Sequence, residues 1–469
     1  MIRDVDVLVV GAGSAGAATA LAFAQAGRTV VMVDKRDHGT TGARWVNAVP
    51  RWCFEEARFD VPPNAVVFAH RGSRGFHLVA PNGSARVCMR DVPLLHIDMR
   101  ALVAHLVERA LAAGATLLRG HVRSVDVAPE GERTVQFEDG STQFAIRARL
   151  VVDASGLGGA VRTRVAALSD HCPTPDPVDR CSAAQYQYSV RDPEGLAAFL
   201  AQYGAQPGDD IAFPAIAGGY STLTLFTHPD LSEVGVLTGS IPALGVDDGG
   251  AILDRFVERA PFLGERLYGG RGAIPLGRPY ATLGASGVAL VGDAACQVYA
   301  SHGSGVGMGL LAARTLADAA SGAADLGSAA VLDAYSKRYR VAYGGLLAAS
   351  DLFRRYVQGL GPSDIDNMVG SGLLDVSLAS AALEQRPARP DLRFVVSAPA
   401  RALRAPRVAL RFLPVAARTV AVDRLSPLTA APAIGRTIDR AIHWMMGDRA
   451  VRAPEAAWTM PDPSAGAVR

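Results

Sequence analysis

The residues best suited to chemistry in this 469-residue chain lie between positions 287 and 309: Gly287-Val-Ala-Leu-Val-Gly292-Asp293-Ala-Ala-Cys296-Gln-Val-Tyr-Ala-Ser-His302-Gly303-Ser304-Gly305-Val306-Gly307-Met-Gly309. The apolar run 288–291 reads as a buried strand that delivers one carboxylate, Asp293, to a turn. A carboxylate there can accept hydrogen bonds from the hydroxyls of a sugar or polyol chain. The glycines that follow let backbone approach a flat or anionic group that a side chain would push away. A helix expected from about residue 304 would present free N–H groups and a partial positive charge, which suits an electron-rich ring. His302 immediately precedes the Gly303-x-Gly305 loop, so it is the candidate catalytic residue, able to donate a proton or hold a substrate oxygen. Cys296 reads as a small buried thiol rather than a redox group.

A second glycine cluster, Gly11-Ala-Gly13-Ser14-Ala15-Gly16, follows an apolar strand over 5–10 and opens an alanine-rich helix running to Gly27. The next strand, 29–33, ends in Asp34. An acid about 20 residues beyond such glycines reads a ribose 2′-hydroxyl in a βαβ dinucleotide site. This fingerprint does not separate FAD from NAD. The distant Gly292-Asp293 does, because it supplies an acceptor for a ribityl chain, and it points to FAD.

Composition bounds the rest. The length allows two or three domains with an ample core. The net charge is +2, so nothing global points to nucleic acid. Lysine occurs only at 35 and 337. Five cysteines (53, 88, 172, 181, 296) form no C-x-x-C pair, and Asp4 and Asp6 interrupt the apolar N-terminus, so free thiols in a cytoplasmic protein are expected. No apolar run reaches the length needed to span a bilayer.

Stepping along the chain, residues 1–60 read as β-α-β followed by an irregular loop over 37–50. Residues 66–90 alternate as hairpins around Gly72, Gly75 and Asn82-Gly83. An amphipathic helix over 98–113 ends at Gly114. A β-meander with a turn at Glu138-Asp139-Gly140 leads to a strand at 150–152. Residues 181–242 are strand-like, with turns at Gly218-Gly219 and His228-Pro229, and helices are expected to 320 and over 331–347. The expected fold class is α/β. A Rossmann-like FAD-binding domain of parallel sheet plus meander (1–65, 95–165, 271–345) is interleaved with an antiparallel-sheet substrate domain (66–94, 166–270). A helical, Arg-rich C-terminal region (346–469) follows. Ligands are expected in the cleft between the domains. Residues 386–452 hold thirteen Arg and four Asp, with no Lys or Glu, and prolines at 387, 390, 399, 406, 414, 427 and 432 are expected to break long helices. That region reads either as a solvated appendage or as a surface for anionic lipid, an acidic carrier protein or a diphosphate substrate.

Three spaced motifs together resemble one superfamily of flavoproteins, which includes p-hydroxybenzoate hydroxylase, the flavin halogenases and the geranylgeranyl reductases. They are the Gly11 fingerprint with Asp34, the run Leu150-Val-Val-Asp153-Ala-Ser155-Gly156-Leu-Gly-Gly-Ala-Val-Arg162, and the Gly292-Asp293 segment. The turn Ala217-Gly-Gly-Tyr220 and the run Gly272-Ala-Ile-Pro275-Leu-Gly-Arg278-Pro279 are similar to the geranylgeranyl reductase branch. The resemblance spans roughly residues 1–345. It implies cofactor contacts from Gly11, Gly13, Ser14, Ala15, Gly16, Asp34, Lys35, Arg44, Arg100, Val122, Gly156, Gly292, Asp293, Gly303, Ser304, Gly305 and Val306. It implies substrate contacts from Trp45, Asn47 and Tyr220. The chain departs from the family at several points. Ser155 stands where the hydroxylases carry the Asp linked to binding both FAD and NADPH. Ala300 replaces a Pro of the third motif, and the family's flavin-facing Arg falls on Met99, one step from Arg100.

The expected activity is that of an FAD-dependent oxidoreductase reducing or dehydrogenating a C–C bond of an apolar small molecule, isoprenoid or carrier-bound. An external reductase or a reduced nicotinamide would supply the electrons. A flavin monooxygenase and a non-enzymatic electron carrier are the alternatives, with a flavin halogenase last, since the chain lacks the Gly-Trp-x-Trp-x-Ile-Pro segment and a suitable lysine. No metal is expected.

Overall fold

The structure is a computed structural model that describes residues 2–67, 74–127, 133–388, 392–431, 434–447 and 461. Its first sheet has a parallel centre: Val288–Leu290, Thr142–Asp153, Ile2–Val10, Val30–Asp34 and Thr116–Arg119, in that spatial order. Residues 7–10, 30–33, 150–152 and 288–290 of these strands are buried and apolar on both faces. The helix Ser14–Gln25 is buried from Gly16 to Ala24, and its alanines allow that close approach. Burial of Leu21 and Phe23 contributes roughly 1.5–3 kcal/mol each. The antiparallel strands His121–Asp126 and Arg133–Asp139 extend the sheet through Thr142–Asp153 as the meander.

Register fixes where ligands can sit. Val10 lies opposite both Asp153 and Val33, and Asp153 lies opposite Leu290. Four strands therefore end level, and the residues just beyond them, Gly11, Asp34, Ala154 and Val291, emerge along one edge. The crevice beyond the carboxyl ends of a parallel sheet is where such folds bind ligands.

A second, seven-stranded sheet runs Leu263–Pro275, Arg180–Val190, Glu233–Ser240, Thr222–Thr227, Asp210–Pro214, Gly75–Val79, Arg86–Arg90. It is antiparallel except where Asp210–Pro214 pairs with Gly75–Val79. Its apolar face packs on two helices, Pro193–Gln202 and Gly249–Arg259, which the strand-rich reading of 166–270 did not include. The loop expected over 37–50 also differs, because its end, Val46–Pro50, is a strand paired with Leu94–Asp98. The turn at Gly72 lies outside the described residues.

Beyond the two sheets, helices Ala329–Tyr339 and Gly345–Gln358 are joined by a π-helical turn, Arg340–Gly344. The expectation that prolines break long helices in the Arg-rich region is corrected in part. Leu392–Arg404 continues through Pro399, and the 20-residue helix Pro406–Leu425 continues through Pro414. A proline frees the carbonyl four residues before it. For Pro414 that residue is Leu410, which is exposed, so water can satisfy the carbonyl.

Candidate active site

At the fingerprint, Gly11 has φ +101, and a Cβ there would collide with the Ala154 carbonyl, while one on Gly16 would collide with the carbonyl of Gly11. Gly13 differs: a Cβ would meet only Gly42 Cα, at 3.8 Å, so this glycine keeps one side open to a phosphate. The helix Ser14–Gln25 has no side-chain cap and no acid in its first turn, which leaves its N–H groups for a ligand. Asp34 sits at the strand end, where Oδ2 accepts from Ala12 N at 2.8 Å and Oδ1 from Arg36 N at 2.8 Å. Gly120 N donates to the Asp34 carbonyl, which brings half-buried Val122 near the same corner. Lys35 and Arg44 are exposed.

The second motif is a brace. Asp153 is fully buried, and its Oδ1 accepts from Ser155 N and from Ser155 Oγ (2.6 Å). Its Oδ2 accepts from Val161 N and Arg162 N. Ser155 Oγ also accepts from Ala160 N at 2.7 Å, so its hydroxyl is spent within the turn. Gly156, at φ +82, has open space where a Cβ would stand.

The third motif meets the first directly. Gly292 has φ +70, and a Cβ on it would stand 2.9 Å from Ala15 Cβ. One on Gly309 would stand 3.0 Å from the same atom. The Gly292 turn is pinned by a residue that sequence reading did not single out: Gln297 Oε1 accepts from Gly292 N, and Gln297 Nε2 donates to Tyr335 Oη, which donates to the Leu290 carbonyl. Ser350, equally unanticipated, holds the loop from behind by accepting from Ala300 N through Oγ and from Ser301 Oγ through its carbonyl. Neither position follows a spacing rule that would have exposed it.

Two polar groups in this cradle lack partners. The carboxylate of half-buried Asp293 has no hydrogen bond among the described residues, and burial pushes its pKa up to about 6. Its Oδ1 is 3.1 Å from where a Cβ on Gly305 would stand. Ser304 Oγ is buried and also unbonded. Buried polar groups are ordinarily satisfied. A carboxylate and a hydroxyl left open beside an uncapped helix, Val306–Ala320, therefore fit a polyol chain and the polar edge of a flavin. Cys296 is not a redox candidate here, since burial pushes its thiol to about 12.

The other expected residues have these surroundings. His302 Nε2 lies 3.1 Å from the Ala382 carbonyl, and its ring is 4.9 Å from that of Tyr299. A carbonyl can only accept, so Nε2 carries a proton and donates it to this contact. His302 thus ties the glycine loop to the helix Val376–Leu383. Arg100 donates to both carboxylate oxygens of Asp98 and lies 3.5 Å from the centroid of the Tyr268 ring, which commits its guanidinium to the helix N-cap and the second sheet. Met99, the family position of that arginine, is buried in the core. Trp45 packs over the strand Leu263–Pro275: its ring is 2.9 Å from where a Cβ on Gly272 would stand and 3.5 Å from one on Gly270. Asn47 pairs with Ile97 in the small sheet. Tyr220 reaches the loop, with Oη 3.5 Å from a Cβ position on Gly303, and burial holds its hydroxyl protonated, well above the usual tyrosine value. Together Tyr220, Ile274, Cys181, Leu276 and Ala300 form an apolar cluster between the second sheet and the glycine loop.

Level strand ends, a glycine fingerprint and the Asp293 cradle are the arrangement of a flavin-dependent oxidoreductase, and the chain is similar to the superfamily that includes p-hydroxybenzoate hydroxylase and the geranylgeranyl reductases. Within that class the relatives it matches are geranylgeranyl reductases. Residues 6–171 match the family model described as lycopene cyclase protein. The chain is 28% identical over 352 residues to digeranylgeranylglycerophospholipid reductase 2 of Methanopyrus kandleri, covering 73% of this chain and 83% of that one. A geranylgeranyl bacteriochlorophyll reductase-like protein from Thermoplasma acidophilum has the same fold, with a TM-score of 0.70 at 18% identity, over 88% of this chain and 100% of that one. The halogenase PltM, L111Y mutant, in complex with FAD aligns with a TM-score of 0.56 at 16% identity, over 95% and 96% of the two chains.

Proposed function

We propose that the chain binds FAD and reduces carbon–carbon double bonds of an apolar, isoprenoid-type lipid. The observation that carries the proposal is the unpartnered pair Asp293 and Ser304 Oγ, at the level strand ends that also hold the fingerprint. The adenosine half would rest on Gly11, Gly13, Gly16 and Asp34, and the ribityl hydroxyls would donate to Asp293. When bound, the flavin supplies hydride chemistry at carbon, so the protein needs to orient, exclude water and hold protons. The cluster around Tyr220, Ile274 and Leu276 offers an apolar wall beside the glycine loop, and Tyr220 Oη offers one protonated donor in it.

Reduction is favoured over dehydrogenation because the curated relative from Methanopyrus kandleri is named for reduction of a digeranylgeranylglycerophospholipid. A halogenase reading lacks the lysine it needs, since Lys35 and Lys337 are both exposed. Electrons would come from a separate reductase or a reduced nicotinamide. The test is direct. Native protein is extracted and its cofactor identified by mass, then photoreduced enzyme is mixed anaerobically with geranylgeranylated glycerolipid. FAD in the extract and a gain of two hydrogens per double bond are expected. An extract holding only NAD, or a reduced flavin that leaves the lipid unchanged until oxygen is admitted and then yields a product that has gained oxygen, refutes the proposal.

A further inference from the structure

We propose that the outward faces of the helices Leu392–Arg404, Pro406–Leu425 and Gly435–Met446 form a docking surface for an anionic lipid layer. The inference stands apart from which bond is reduced.

Among the described residues, eleven large hydrophobic side chains are exposed, and eight of them lie between 396 and 444. That concentration is not the scatter of single apolar residues that any surface shows. Leu403 is 82% exposed, Leu410 74% and Trp444 76%. The helix Pro406–Leu425 is not loose. Val408, Ala409 and Val422 are buried, Phe412 packs against Tyr356 and the helix lies along Gly345–Gln358. Its opposite face carries Leu410, Leu413, Ala417 and Val420, recurring at helical spacing, with exposed Arg407, Arg411, Arg418 and Arg424 around them.

Charge supports the same occupant. Residues 386–452 carry a net +9, from thirteen Arg and four Asp, while the whole chain carries +2, so the remainder carries −7. This end would therefore turn toward an anionic surface. An acidic protein would be served by the arginines alone, whereas leucines standing out from a helix ridge fit an acyl layer. Arginine can keep its head among lipid phosphates while its stem lies on the apolar side chains, and tryptophan prefers that boundary. No helix among the described residues is long and apolar enough to cross a membrane, so these helices would lie on it.

The experiment sediments the full-length, flavin-loaded protein with phosphatidylglycerol or phosphatidylcholine vesicles at low and high salt. Selective binding to phosphatidylglycerol is expected, weakened as salt shortens the Debye length. The Leu410→Glu/Leu413→Glu double variant should bind at least about tenfold less, with unchanged melting temperature, flavin content and turnover of detergent-dispersed substrate. Absence of binding to phosphatidylglycerol at low salt overturns the proposal. So does binding that the double variant leaves intact, which would mark a charge-only surface such as a carrier protein uses. A wild-type dimer that ignores vesicles and becomes a monomer in the double variant would assign the face to a second copy instead.

Discussion

Ala15, in the first turn of the fingerprint helix, abuts Gly292, the residue before Asp293, and a Cβ on Gly292 would stand 2.9 Å from the Ala15 Cβ. Two motifs almost 280 residues apart in the chain are thereby one surface. Gly292 also has φ +70, where an L side chain costs about 1–2 kcal/mol. Gly292→Ala is therefore expected to lose flavin as well as stability. Gly27→Ala is the control, because Gly27 has φ +75 but open space around its Cβ position. It should lower the melting temperature while flavin content stays whole. Equal flavin retention in both variants would show that the Ala15–Gly292 contact does not shape the site.

Asp293 makes flavin binding pH-dependent. Its pKa rises from 3.8 to about 6 by burial, so between those values the folded chain holds a proton that the unfolded chain has lost. Stability of the flavin-free protein consequently falls as pH rises through that window, by on the order of 2–3 kcal/mol. Ribityl hydroxyls donate to the ionised form, so flavin affinity should rise with pH up to slightly above 6 and then level off. Asp293→Asn should flatten this profile and weaken binding by roughly 1.5–3 kcal/mol. Titration of flavin-free protein with FAD across this range is the measurement, and a wild-type Kd indifferent to pH would contradict the assignment.

His302 is expected to act as a brace. Its Nε2 is bonded to the Ala382 carbonyl, across to a helix outside the flavin-binding core. His302→Ala should lower the melting temperature by loosening the glycine loop and should reduce turnover by less than about tenfold. A general acid would cost roughly 10²–10⁴-fold. A loss of that size with an unchanged melting temperature would return the ring to catalysis.

The parts legible in the sequence were those with local rules. The strand ending before Gly11, the N-cap Asp98 with its helix to Ala112, the Asp139-Gly140 turn and the helix ending at Ala320 all carry their signal within a few residues. The helices Pro193–Gln202 and Gly249–Arg259 carry a local signal too, since Asp192 and Asp248 cap them through their side chains. Val46–Pro50 could not be read this way, because a short strand is defined by its partner, here Leu94–Asp98, almost 50 residues away. The same limit applies at the site. Asp293 and the glycines were visible by type and spacing, whereas Gln297, Ser350 and the Ala382 carbonyl are set by tertiary contacts. Arg100 shows the same limit, because its contacts with Asp98 and Tyr268 follow from helical phase and from a strand far along the chain.

Direct reduction by NADPH is expected to be slow. In the related hydroxylases an Asp at the position of Ser155 is linked to binding both FAD and NADPH. Here that position holds a hydroxyl that donates to Asp153 Oδ1 and accepts from Ala160 N, so its proton is committed to fixing the turn and it carries no carboxylate charge for a nicotinamide nucleotide to meet. The chain also has no second G-x-G-x-x-G fingerprint in a βαβ context. Electrons would then arrive from a reductase or ferredoxin that meets the flavin without a resident nucleotide site. Stopped-flow mixing of the oxidised protein with NADPH and NADH, with and without glycerolipid substrate, measures this. Flavin bleaching should lag well behind turnover supported by photoreduction. Bleaching by NADPH alone at the turnover rate would mean that a nicotinamide site exists elsewhere on the surface, and that the Ser155 turn does not govern the choice of electron donor.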